Sequence, residues 1–95
     1  VADFYSPGIV RLFYRTVGGR VDVNPTARVT WPDMSVHDAD DPRRLDDGLF
    51  CLELRFVKEG TYLVTFHENG LLTTIQHLEI RRDGRRATGD KLINP

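Results

Sequence analysis

The sequence predicts an all-β protein, an antiparallel sandwich or small barrel of six or seven short strands. Three observations carry that prediction. Phe50, Leu52, Leu54 and Phe56 alternate with Cys51, Glu53 and Arg55, the period of two that turns one face of a strand to a core and the other toward water. After Lys58-Glu59-Gly60 the same period resumes with Tyr62, Val64 and Phe66, and Asn69-Gly70 then supplies a strong two-residue hairpin signal. No window of ten residues shows the i, i+3, i+4, i+7 spacing of an amphipathic helix.

In chain order, residues 1–8 read as an N-terminal arm or short edge segment: Phe4 and Tyr5 precede the turn-forming Ser6-Pro7-Gly8 and need a surface to rest on. Residues 9–80 are the sandwich domain. Ile9 to Val17 is rich in branched and aromatic residues, with Val10, Leu12 and Tyr14 on one face and Arg11 and Arg15 on the other. Gly18-Gly19 reads as a hairpin, with Arg20 to Val23 as its return strand. Ala27, Val29 and Trp31 share one side of the next strand, which Pro32 ends because proline has no N–H for a sheet ladder. Asp33 to Asp47 is the longest loop candidate, with six aspartates, two arginines and a possible short edge strand around Met34 and Val36. The final strand, Leu71 to Ile80, changes phase between Ile75 and Leu78, and a bulge near Gln76 would restore a single buried face. Residues 81–95 read as a basic C-terminal extension, with a small turn at Asp83-Gly84.

Ninety-five residues make one domain, large enough to bury roughly 60 to 65% of its unfolded surface. With 40% hydrophobic and 28% charged residues the composition is that of a globular chain. The net charge of −1 implies no global attraction to nucleic acid or a membrane. It hides an asymmetry, since residues 1–80 carry eight basic and twelve acidic groups and residues 81–95 carry five and two. The single cysteine, Cys51, cannot close an internal disulfide, so packing alone must hold the domain, as in proteins assembled in a reducing cytosol. No run approaches the ~20 apolar residues of a membrane-spanning helix.

Glu59-Gly60-Thr61-Tyr62-Leu63-Val64 resembles the corner before the sixth strand of immunoglobulin-like sandwiches, especially the Gly-Thr-Tyr form of bacterial and bacteriophage modules. The resemblance covers residues 46–80 well and the first half by strand count. It implies that the Tyr62 hydroxyl bonds back to the backbone and pins the corner after Gly60. An antibody-type domain has two facing cysteines around a tryptophan, whereas here Cys51 stands alone and Trp31 precedes a proline, so the resemblance is to a disulfide-free variety with Trp31 as a structural residue. Such modules occur in phage virion proteins and bacterial surface proteins.

No residue set announces catalysis, and no enzyme is expected. Cys51 has no basic neighbour in sequence and reads as an inert thiol. Gly18-Gly19 stands alone without a phosphate-loop context, and no cofactor is implied. His37, His67 and His77 lack metal-ligand spacing; His67 and His77 flank the Asn69-Gly70 hairpin and are expected to pair across it on the surface. Asp38, Asp40, Asp41, Asp46 and Asp47 gather carboxylates in one loop, as calcium requires, but Arg43 and Arg44 lie between them and the EF-hand spacing is missing. Arg81, Arg82, Arg85 and Arg86 could neutralise phosphates, yet they lack interleaved aromatics, so a solvated or protein-docked tail is preferred.

The expected function is therefore a non-catalytic structural or assembly module with protein partners, as a homo-oligomer or in a larger assembly. Its contacts are expected at Phe4, Tyr5, Arg81, Arg82, Arg85, Arg86, Leu92 and Ile93. The expected setting is a tailed-phage virion assembled in the cytoplasm. The rival expectation is a glycan- or cation-binding adhesion module at the bacterial surface that uses the Asp33–Asp47 loop, with Trp31, Tyr5 and Tyr14 as possible stacking rings.

Overall fold

The computed structural model describes residues 3–83 and 89–95. The described chain is all β, and its strands form two sheets that pack face to face. In chain order the strands are β1 (Asp3–Tyr5), β2 (Gly8–Arg15), β3 (Thr26–Thr30), β4 (Val36–Asp38), β5 (Arg43–Asp46), β6 (Leu49–Phe56), β7 (Gly60–Glu68), β8 (Leu71–Ile80) and β9 (Gly89–Ile93). One sheet has the order β1-β8-β7-β3-β4 and the other β5-β6-β2-β9. The expectation of purely antiparallel sheets needs correction, because β1 runs parallel to β8 and β9 parallel to β2. Nine strands are described rather than six or seven: the extra ones come from the terminal segments and from the Asp33–Asp47 stretch.

The alternating residues meet between the sheets. Val10, Leu12 and Tyr14 of β2 and Leu52 and Phe56 of β6 face Ala27 and Val29 of β3, Tyr62, Val64 and Phe66 of β7, and Leu78 and Ile80 of β8. Each valine, leucine, isoleucine or phenylalanine among them contributes roughly 1.5–3 kcal/mol on burial. The Tyr14 and Phe66 rings stack across the core with centroids 4.4 Å apart and planes at 9°, which fixes how the two sheets register.

Three local expectations fail for identifiable reasons. Arg20 to Val23 does not return as a strand. Thr16 donates its N–H to the Gly48 carbonyl at 2.9 Å and its hydroxyl to the Arg20 carbonyl at 2.6 Å, so the chain curls through a 3-10 turn, Val17–Gly19, with both glycines at positive φ. It then crosses to the other sheet over the buried Val23 and Pro25, and β9 takes the place beside β2. The bulge in β8 sits at Thr73 and not at Gln76, since Phe66 faces Thr74 while His67 faces Leu72. Leu71, Leu72 and Ile75 stay exposed, so the bulge does not bury one continuous face. The Asp33–Asp47 stretch is not one loop: the short edge strand allowed around Val36 is β4, and β5, which was not expected, lies within the stretch as well.

The termini are parts of the sandwich. Tyr5 is fully buried in the core and Ile93 nearly so, which removes both from the residues able to reach a neighbour. The turn at Asp83-Gly84 and the positions Arg85 and Arg86 lie outside the described residues, except Asp83.

A buried polar network closes the end of the core beside the Asn69-Gly70 turn. Glu68, only 6% exposed, accepts the Tyr14 hydroxyl at 2.5 Å and the Val17 N–H at 3.0 Å. Thr73 Oγ1 lies 2.5 Å from the same Tyr14 oxygen. Burial first, and then the Glu68 hydrogen bond, push the Tyr14 phenol far above its ordinary value. Tyr14→Phe is expected to lower stability by about 1–3 kcal/mol in urea unfolding, because it strips a donor from a buried carboxylate. The sign of the pH effect follows from the raised phenol. The unfolded Tyr14 ionises near pH 10, so its contribution is complete below that pH and is lost as pH rises above it. Urea unfolding between pH 8 and 11, a range set around that value, should show a shallower alkaline decline in Tyr14→Phe than in the wild type.

Candidate binding cleft

The chemistry-bearing residues that the structure gathers lie on one open side of the sandwich. The gathering begins in the β3–β4 hairpin. Trp31 donates its N–H to the Ser35 carbonyl and Met34 donates to the Trp31 carbonyl, both at 2.9 Å, while Asp33 Oδ1 accepts from Ser35 N at 2.9 Å and from its hydroxyl at 2.5 Å. Because Val29 faces His37 in register, Trp31 and His37 fall on the same face and diagonal to one another. Their rings stack with centroids 3.9 Å apart and planes at 27°. Ser35 Oγ also sits 2.8 Å from His37 Nε2. The hydroxyl has one proton and gives it to Asp33, so His37 Nε2 carries the proton and donates. Ser35 accepts that bond, and Asp33 is held below the usual carboxylate range, chiefly by the Ser35 hydroxyl.

The opposite wall comes from the end of β6 and the corner into β7. Tyr62 donates its hydroxyl to the Lys58 carbonyl at 2.9 Å, and its ring tilts against Phe56 with centroids 4.6 Å apart. Burial first, and the Asp33 charge second, push the Tyr62 phenol up, which keeps it a donor. Gly60 has φ +141°, and a Cβ there would come within 2.5 Å of Pro32 Cγ. The proline that ends β3 thus rests directly on the glycine that starts β7.

Between these walls lies an open cleft of about 390 Å³. Val29, Ala39, Leu54, Phe56 and Tyr62 give it an apolar floor, Trp31 and His37 form one rim, and Arg55, Val57 and Lys58 form the other. Trp31 is 46% exposed and also borders a shallower recess with Met34, Leu63 and His77. Trp31 is thus a rim residue held by a stacked histidine.

The other residues singled out in the sequence are scattered. Asp38 pairs with Arg28 at 3.3 Å, Asp47 pairs with Arg44, and Asp46 accepts the Asp47 N–H at 2.8 Å. Asp40 and Asp41 are exposed between β4 and β5, so the five carboxylates do not converge. Among the described residues no group of three or more His, Cys, Asp or Glu is placed to hold a metal ion. His67 and His77 do not pair, since His67 faces Leu72 and His77 faces Leu63. Phe4 stays exposed under the Arg81 guanidinium, 4.2 Å from its ring centroid. Arg81 also bonds Glu79 at 2.7 Å and the Arg82 guanidinium lies 3.8 Å from Glu59, so these basic residues are met by their own chain. Leu92 is exposed on β9. Cys51 is buried, and burial pushes its thiol up, against nucleophilic use.

Sequence reading overlooked His37 as the partner of Trp31, Glu68 as a buried carboxylate, and the Arg55–Lys58 rim. The first had a usable signal: Trp-Pro-Asp-Met-Ser is a turn with an aspartate that can accept from the serine two residues on, and such a turn folds residue 37 back beside residue 31. Glu68 depends on Tyr14 and Val17 meeting it from the other sheet, and the Arg55–Lys58 rim on which strand ends lack a neighbour.

Gly60→Ala is expected to cost at least about 2 kcal/mol, through positive φ and the clash with Pro32. The double variant Gly60→Ala/Pro32→Ala should recover only the part due to Pro32 Cγ, because the Cβ that alanine keeps would still lie 2.9 Å away, and a double-mutant cycle by chemical denaturation measures it. Tyr62→Phe should cost about 1 kcal/mol. No family model matches the chain, and neither curated proteins nor solved structures provide a match.

Proposed function

We propose that the chain is a non-catalytic immunoglobulin-like sandwich that serves as a structural or assembly module, contacting neighbouring protein through its surface. One observation carries the fold part of this reading: the Tyr62 hydroxyl bonds to the Lys58 carbonyl across a corner whose two strands, β6 and β7, belong to different sheets. A tyrosine corner in immunoglobulin-like domains makes that same connection. The interaction part is supported by exposed apolar groups on several sides, among them Phe4, Val57, Leu72, Ile75 and Leu92. A virion setting rests on the sequence alone, on a disulfide-free domain suited to assembly in a reducing compartment.

A second reading has a specific observation in its favour. The half-exposed Trp31 ring, stacked on His37 above an apolar cleft, suits a sugar face as well as a protein side chain. Binding on a glycan array, lost in Trp31→Ala while the fold is retained, would favour that reading.

Native mass spectrometry and sedimentation equilibrium of the full chain test the first reading. It predicts a homo-oligomer or a complex with a protein partner, weakened by at least about fivefold in Phe4→Ala/Leu92→Ala. A chain that remains monomeric at about 1 mM, where even weak association is populated, and that retains no protein partner, contradicts it.

A further inference from the structure

We infer that the open edge of β6, along Glu53 to Phe56, is a strand-addition site for an extended acidic segment of a partner protein. The inference rests on the reading of the chain as an interaction module and names the kind of partner.

Backbone pairing leaves the edge available. β6 pairs with β2 along its whole length, from Leu49 to Phe56. On its other side β5 matches only Leu49 to Cys51. The residue before Arg43 is Pro42, which has no N–H to continue the ladder. Among the described strands none continues β5 along Glu53 to Phe56. In an antiparallel pair, residues alternately point their N–H and C=O toward and away from the partner strand. Alternate residues of this stretch therefore present main-chain donors and acceptors to the opening, the template that an added strand uses.

The cleft lies along this edge. Leu54, Arg55 and Phe56 all border it. Successive side chains of a strand point to opposite faces, so consecutive residues border one cavity where it runs beside the strand's edge or around its end. A segment added there would send alternate side chains inward over Val29, Ala39 and Phe56, and the others outward beside Arg55.

Charge selects the segment. Neither Arg55 nor Lys58 forms an ion pair among the described residues, whereas the one carboxylate on the cleft, Asp38, is matched by Arg28 at 3.3 Å. The uncompensated charge at the rim is positive. Carboxylates on the outward side of an added strand would meet Arg55 as a cross-strand pair, and apolar residues would fill the inward side. A polyanion lacking apolar side chains would leave the cleft floor uncovered, so the pattern favours an acidic peptide with apolar residues at alternate positions.

The probes are capped nonapeptides that alternate aspartate with valine, leucine, phenylalanine or tyrosine, titrated into the isotope-labelled full chain and followed by amide chemical shifts. At least one is expected to bind, with shifts concentrated at Glu53 to Lys58 and at Trp31 to His37. Replacing every aspartate by lysine, or combining Arg55→Glu with Lys58→Glu in the protein, should weaken binding at least about tenfold. Methylating alternate amide nitrogens of the peptide should abolish it. Failure of all four acidic peptides to bind at millimolar concentration overturns the inference, as does equal binding of the methylated peptide or shifts located elsewhere. If the peptides fail while native mass spectrometry still finds the chain assembled, strand addition falls and the interaction-module reading stands; if both fail, both fall.

Discussion

The corner between β6 and β7 constrains the rest of the molecule. Within the three residues Val57-Lys58-Glu59 the chain leaves one sheet and enters the other. That change of layer would expose or strand backbone polar groups unless something fixed its geometry. Tyr62 does so by reaching back to the Lys58 carbonyl, and Gly60 does so by adopting a positive φ against the Pro32 ring. Because Pro32 closes β3, one contact sets both the entry of β7 and the end of its neighbour. The Trp31–His37 stack then sits where the proline holds it.

A second consequence is the asymmetry of the two long sides. On one side the chain's own ends complete the sheets: β1 extends the first sheet beside β8 and β9 extends the second beside β2. Their buried anchors, Tyr5 and Ile93, belong to the core. On the other side β4 and β5 are short, of three and four residues, and they do not cover the end of β6. The cleft is the space that these short edge strands leave. Its rim holds two cations without an ion pair among the described residues, whereas the exposed row of Glu53, Arg11 and Asp90 on the sheet surface is matched. Such surface pairs add at most about 1 kcal/mol each, so they shape the surface potential more than the stability.

Much of the scaffold was legible in the sequence because it depends on local periodicity. The alternation in β6 and β7 reported the buried face correctly, as Leu52, Phe56, Tyr62, Val64 and Phe66 are core residues, and Asn69-Gly70 forms its turn with both residues at positive φ. What local pattern could not carry was the choice of neighbour. Gly18-Gly19 looks like a hairpin from its two glycines, but the bond from Thr16 to Gly48, 32 positions away in sequence, decides otherwise. Tyr5 and Ile93 looked like outward anchors because each belongs to a short apolar pair, Phe4-Tyr5 or Leu92-Ile93, near an end, and only strand pairing shows that they face inward. The cleft was legible in its parts, through Trp31, Tyr62 and the proline, yet not as a site. A site on the open side of a sandwich arises from where strands stop, and Pro42 was the single residue that hinted at it.

One edge of β6 is closed by β2 while the other is open beside the cleft. Amide hydrogen exchange of the free chain, resolved residue by residue along Leu49 to Phe56, tests it most directly. The account predicts protection of both alternating sets of amides from Leu49 to Cys51, and an alternation of protected and rapidly exchanging amides from Glu53 to Phe56. Uniform protection through Phe56 would mean that another segment covers the edge, and would contradict it.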